Sequence, residues 1–127
     1  MRFTLWTLAF ALIASVAACG SSPDPVNRNE TGNLADSASE HEGRKCDSYT
    51  FSAGSDWNVQ IAMTSEWDNY LYLTRGSTAV ADDDDTDGTN ARISTTVTES
   101  GEYTVHACAY DDGRGAYTLN IQANPGS

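Results

Sequence analysis

A chain of 127 residues has room for one domain, since a single core takes roughly 100 to 150 residues, and a two-domain enzyme is disfavoured from the outset. Seven basic against 18 acidic residues give a formal net charge of −11 and a pI near 4.2, the wrong sign for a partner held through phosphate contacts, so nucleic acid is set aside.

The N-terminus reads as an address. Arg2 precedes an apolar stretch over residues 5–18 (LWTLAFALIASVAA) that ends in small residues, the pattern of a secretory signal peptide. About 14 apolar residues fall short of the roughly 20 needed to cross a bilayer. The run Val16-Ala17-Ala18-Cys19-Gly20 resembles the bacterial lipobox, in which a small residue precedes a lipid-accepting cysteine. That resemblance implies removal of residues 1–18 and acylation of Cys19 on its sulfur and amino group. One acyl chain binds a membrane only marginally, whereas several, at about 0.8 kcal/mol per buried CH₂, make a lasting anchor. The membrane is therefore an expected partner, and the bacterial cell envelope the expected compartment. Gly20, standing where some Gram-negative sorting systems read an Asp as an inner-membrane signal, favours the outer membrane. An ordinary secreted chain with a spare thiol at Cys19 is the alternative.

Residues 19–43 are expected to be the lipidated cysteine and a disordered tether. From 21 to 43 Val26 and Leu34 are the only sizeable apolar residues, too few to offset the entropy of ordering. Asn29-Glu30-Thr31 matches a glycosylation sequon by chance, and His41 is read as solvated.

From residue 44 to 127 a domain is expected, and its hydrophobic period is two. Tyr49 and Phe51 alternate with Ser48, Thr50 and Ser52. Val59, Ile61 and Met63 follow the same rule, as do Leu71 and Leu73, then Ile93 and Val97. Tyr103, Val105 and Ala107 continue it, and Tyr117, Leu119 and Ile121 close it. Turn signals at Gly54, Gly76, Gly88, Gly101 and Gly113 separate these runs, and no segment sustains a helical period. About seven short strands, the weakest at residues 78–81, predict an all-β fold, an antiparallel sandwich.

Several of these runs, taken in order, resemble the bacterial pre-peptidase C-terminal domain: Tyr49-Thr50-Phe51 with Gly54, Asp68-Asn69-Tyr70-Leu71-Tyr72-Leu73, the acidic turn at 82–85, Ser100-Gly101-Glu102-Tyr103-Thr104-Val105, and Gly115-Ala116-Tyr117-Thr118-Leu119. The resemblance runs from about Asp47 to Gln122. It implies a jelly-roll-like β-sandwich that rides on exported enzymes as a noncatalytic module. No catalytic domain precedes it here, so an attachment or binding role is the default expectation.

Alternation also speaks about the two remaining cysteines. If Tyr49 and Phe51 face the core, Cys46 faces outward; if Tyr103, Val105 and Ala107 face the core, so does Cys108. A disulfide between neighbouring strands of one sheet then fits the pattern, and one through the core would break it. With Cys19 consumed by lipid, the even remainder in an oxidising compartment is expected to pair; two free thiols are the alternative.

Residues 82–87 place five carboxylates in six positions, and Asp83-x-Asp85-x-Asp87-Gly88 copies the opening of an EF-hand loop. Asn90 and Ser94 then occupy positions where that motif requires an aliphatic residue and Glu, so the full motif fails. Asp83, Asp85 and Asp87 are candidate Ca²⁺ ligands, with Glu66 and Asp68 as contributors if the fold brings them near; a solvated acidic hairpin tip is the bland alternative. Catalytic signatures are missing: His106 is the domain's histidine, on the predicted outward face, and no G-x-S-x-G, H-E-x-x-H or cysteine–histidine arrangement occurs, so an enzyme is not expected. Tyr70, Tyr72 and Tyr110 point away from the core by parity, and Trp57 and Trp67 stand at strand starts. These five rings are candidate contacts for a glycan, peptide or envelope protein. Clustering beside one loop would favour a binding module; scatter would favour an inert structural domain with a Ca²⁺-stabilised loop.

Overall fold

A computed structural model describes residues 23–126, all of it strand, turn and loop. Nine strands follow in chain order: β1 Val26–Leu34, β2 Ser39–His41, β3 Arg44–Ala53, β4 Trp57–Ser65, β5 Asn69–Arg75, β6 Thr78–Asp83, β7 Arg92–Val97, β8 Gly101–Ala109 and β9 Gly115–Asn124. They form two antiparallel sheets, β1-β9-β4-β7 and β2-β3-β8-β5-β6.

The predicted alternation is what packs them. Val59, Ile61 and Met63 on β4 and Tyr117, Leu119 and Ile121 on β9 point inward from the first sheet. Leu71 and Leu73 on β5 and Tyr103, Val105 and Ala107 on β8 meet them from the second, and all of these join one buried cluster. Each strand of period two can bury only one face, so two sheets closing on a single core is the arrangement that satisfies all of them.

The disordered tether expected over 21–43 is corrected for most of its length. β1 pairs residue by residue with β9, from Val26 opposite Ala123 to Leu34 opposite Gly115, and β2 pairs with the start of β3. The physical reason is its place at a sheet edge. Along β1 only Val26 and Leu34 supply apolar contacts, while Arg28 and Glu30, in inward register between them, sit over the open seam between the sheets. There the Arg28 guanidinium donates to Glu30 and to the backbone carbonyl of Thr50 on β3. Backbone pairing and this bridge replace the apolar alternation that a half-buried strand would show. Gly32 fits because Tyr117 lies against it: a Cβ there would come within 2.3 Å of the tyrosine ring. Residues 1–22, with the signal segment and Cys19, lie outside the described residues.

The acidic turn is not a hairpin tip. β6 is an edge of one sheet and β7 an edge of the other, so residues 84–91 cross between sheets at one end of the sandwich. A two-residue turn closes within it, with Asp87 and Asn90 exchanging backbone hydrogen bonds across Gly88, whose φ of 69° suits glycine. Asn69, fully buried at the start of β5, holds this crossing: its amide oxygen accepts from the Ala91 N–H, and its nitrogen donates to Ser65 and Asn90.

Candidate functional site

The outer face of the five-stranded sheet gathers the residues that sequence parity sends outward. Cys46 on β3 stands opposite Cys108 on β8, and Tyr70 on β5 stands opposite Cys108 on the other side. The cysteines form a disulfide with a sequence separation of 62, between neighbouring strands of one sheet as the alternation requires. Both are buried although they face outward, so the side chains of this face must cover them.

The cover is a cluster of rings around one guanidinium. Tyr70 lies 4.6 Å from Tyr72 and 6.2 Å from Tyr110, centroid to centroid. Arg44, two residues before Cys46 on the same face, places its guanidinium carbon 4.3 Å from the Tyr70 ring and 5.1 Å from that of Tyr110. Its Nε donates to the Tyr110 carbonyl at 3.2 Å and its Nη1 to the Tyr72 hydroxyl at 2.7 Å. Tyr70 in turn donates to Asp82 on β6, and this hydrogen bond, with burial, pushes the Tyr70 phenol well above its ordinary value. The hydroxyl is therefore a fixed donor at any physiological pH. Tyr110 is the large apolar side chain most open to solvent among the described residues, at 43% exposure.

Two histidines extend the cluster. His41 stacks on His106 with centroids 3.9 Å apart and meets Tyr72 edge-on at 4.7 Å. His106 shares hydrogen bonds with Ser48 at one ring nitrogen and Thr74 at the other, tying β3, β8 and β5 together. Burial first, and then the neighbouring His41, pull its pKa down to about 4, so the ring is neutral at pH 7. Each ring nitrogen meets a hydroxyl, Ser48 Oγ at Nδ1 and Thr74 Oγ1 at Nε2.

Of the five candidate rings, the structure brings Tyr70, Tyr72 and Tyr110 together and sends both tryptophans elsewhere. Trp57 is buried in the core, a correction to its reading as a contact residue. Its indole nitrogen lies where a Cβ on Gly54 would be, at 2.6 Å, so the two residues form one packing unit. Trp67 is half-buried against Gly113 and, edge-on, Tyr117 at 6.3 Å, at the far end of β4. Sequence reading missed Arg44 and His41. Arg44 shares the parity of Cys46, which sets it on the outer face but not among the rings; His41 was hidden by the tether assignment.

Among the described residues no three His, Cys, Asp or Glu side chains are grouped as metal ligands. Asp83 is occupied by its own loop, its carboxylate accepting from the Thr86 N–H, the Thr86 hydroxyl and the Arg92 N–H. Burial raises its pKa, but these donors together bring it below the ordinary value. The Asp85 carboxyl is raised, first by a hydrogen bond shared with Asp84 and then by the charges of Asp84, Asp83 and Asp68.

No model of a known protein family matches the chain, and neither does any curated protein. Solved structures do. The pre-peptidase C-terminal domain of a collagenase from Bacillus anthracis superposes with a TM-score of 0.59 at 22% identity, over 76% of this chain and 89% of that one. The two share a fold. PliG from Aeromonas hydrophila, a periplasmic lysozyme inhibitor of g-type lysozyme, superposes with a TM-score of 0.55 at 13% identity, over 84% of this chain and 90% of that one. The β-sandwich is thus the one the sequence motifs implied, shared with a domain of a collagenase and with a lysozyme inhibitor.

Proposed function

We propose that this chain is a noncatalytic binding module of the bacterial cell envelope, held to a membrane through lipid on Cys19, and that the tyrosine face of its five-stranded sheet captures a peptide or protein. The observation that carries this reading is the convergence of Tyr70, Tyr72 and Tyr110 on Arg44 over a buried disulfide. Scattered rings would have favoured an inert structural domain. Tyrosine and arginine are the residues that dominate protein interfaces, because rigid rings and a planar cation bury much area at small entropic cost. Here the guanidinium is stacked and two of its hydrogen bonds are made in advance, so little ordering is left for binding. The fold shared with a periplasmic lysozyme inhibitor supports an envelope location and a protein target, although that inhibitor's own target belongs to that protein.

Capture from envelope extract on the immobilised full chain tests the reading, with Arg44→Ala and Tyr110→Ala as comparison. A protein retained by the wild type and lost, at least tenfold, on both variants is the expected result. A partner retained equally by all three, or a glycan retained by the wild type and lost on both variants, overturns the assignment of this face to a protein.

A further inference from the structure

The outer face of the other sheet is built from a different chemistry. Its side chains stand in rows across the strands: Asn27, Gln122, Gln60 and Ser94 in one, Asn29, Asn120, Ala62 and Arg92 in the next. Two flanking rows, Asn124–Asn58–Thr96 and Thr31–Thr118–Thr64, continue the pattern. The chain carries 18 acidic residues, yet none stands at an outward position of β1, β9, β4 or β7, and Arg92 is the one charge there. An ordinary solvated face of so acidic a chain would carry its share of carboxylates.

This face is also concave. A depression of about 440 Å³ opens over Ala62, the short side chain in its row, and is rimmed by Gln60, Gln122, Asn120, Ser94 and Arg92. A second hollow, sharing Gln60 and Ser94, extends it along β4 and β7. Some polar groups are spent locally, Asn120 on Asn29 and Thr96 on Asn58. The side chains of Gln60, Gln122, Ser94 and Arg92 make no hydrogen bond or ion pair among the described residues, so their donors and acceptors face the depression unpaired.

We infer that this face binds an uncharged, polyhydroxylated glycan chain. A carboxamide offers a donor and an acceptor side by side, which is what a sugar ring presents through each pair of neighbouring hydroxyls. An anionic chain meets the field of a protein with net charge −11, and a cationic one finds no carboxylate here to pair with. Strands about 4.8 Å apart make a row of four side chains span about 14 Å, the length of a short oligosaccharide. Without an aromatic platform the hydrogen bonds carry the affinity, each worth little net, so binding is expected in the range of about 0.1 to 1 mM. This site lies across the sandwich from the tyrosine cluster and does not depend on the reading given to it.

Titration of the full-length isotope-labelled chain with cellohexaose and chitohexaose, and with hexagalacturonate as the anionic counterpart, is the test. A neutral hexasaccharide is expected to shift the amide signals of Gln60, Ala62, Ser94 and Gln122. Ala62→Glu, which fills the depression and adds the missing charge, should abolish the response, and the Gln60→Ala/Gln122→Ala pair should weaken it roughly tenfold. Because all three positions are solvent-facing, unchanged spectra elsewhere establish that the variants fold. Silence with both neutral sugars at 10 mM, equal binding of hexagalacturonate, or shifts confined to Tyr70, Tyr72 and Tyr110 would each overturn the proposal.

Discussion

Replacing Cys46 and Cys108 together by alanine should lower stability by about 4 kcal/mol. The sequence separation of 62 closes a long loop, and in the chain-entropy account cross-linking so long a loop removes about 14 cal/mol/K from the unfolded ensemble, ~4 kcal/mol at 25 °C. That is a large share of the 5 to 15 kcal/mol by which a domain of this size is usually stable. The cost should extend to the tyrosine face, since Arg44 lies two residues before one cysteine and Tyr110 two residues after the other. Urea unfolding followed by tryptophan fluorescence measures the first effect, because Trp57 is buried in the core and is released on unfolding. Three samples suffice: the native chain, the native chain in reductant, and the double variant. The last two should share a midpoint well below the first, with a somewhat steeper slope because the uncrosslinked unfolded chain exposes more surface. A difference of less than about 1 kcal/mol would refute the view that this crosslink, rather than the core alone, holds β3 against the central strand β8 of the five-stranded sheet.

Asn69→Ala leaves the Ala91 N–H and the Ser65 and Asn90 side chains without their partner at a fully buried position, and should cost about 2 to 3 kcal/mol in the same assay. Gly32→Ala forces the Tyr117 ring from its contacts with Tyr49 and Asp47 and should destabilise by about 1 to 3 kcal/mol, with loss of pairing along β1 seen by hydrogen exchange. His106 is depressed to about 4 from an ordinary 6.5, so folding favours its neutral form: its contribution is full above pH 6.5 and fades as pH falls toward 4. Because the ring is partly solvated the loss should be nearer 1 than 3 kcal/mol, and comparison of His106→Gln with the native chain between pH 7 and 4 isolates it. Asp83→Ala removes the acceptor of three loop hydrogen bonds and should cost about 1 to 2 kcal/mol.

The fold was readable wherever burial is one-sided. Val59 to Met63, Leu71 to Leu73 and Tyr103 to Ala107 each announce a strand because every second residue must avoid water, and the same parity sets Cys46 beside Cys108. β1 and β2 escaped because an edge strand is held by its backbone ladder, and a ladder leaves no trace in composition. Arg28 and Glu30 read as tether residues, yet they stand over the seam between sheets. Trp57 misled although the signal was there: it stands in phase with Val59, Ile61 and Met63, and the alternation that buries them turns it inward against Gly54. The tyrosine cluster was legible as three outward rings, whereas its centre was not. Arg44 reaches Tyr70, Tyr72 and Tyr110 across three strands, and such convergence is a property of register rather than of any local run.

The central claim is that the tyrosine face engages a protein partner in the envelope. A photo-activated phenylalanine analogue placed at position 110 of the full chain, in cells of its source, measures this directly, with the same analogue at position 94 on the opposite face as control. A discrete protein adduct from position 110 that disappears with Arg44→Ala, and is missing from position 94, is the predicted result. No adduct at 110, or the same adduct from both faces, would contradict the account.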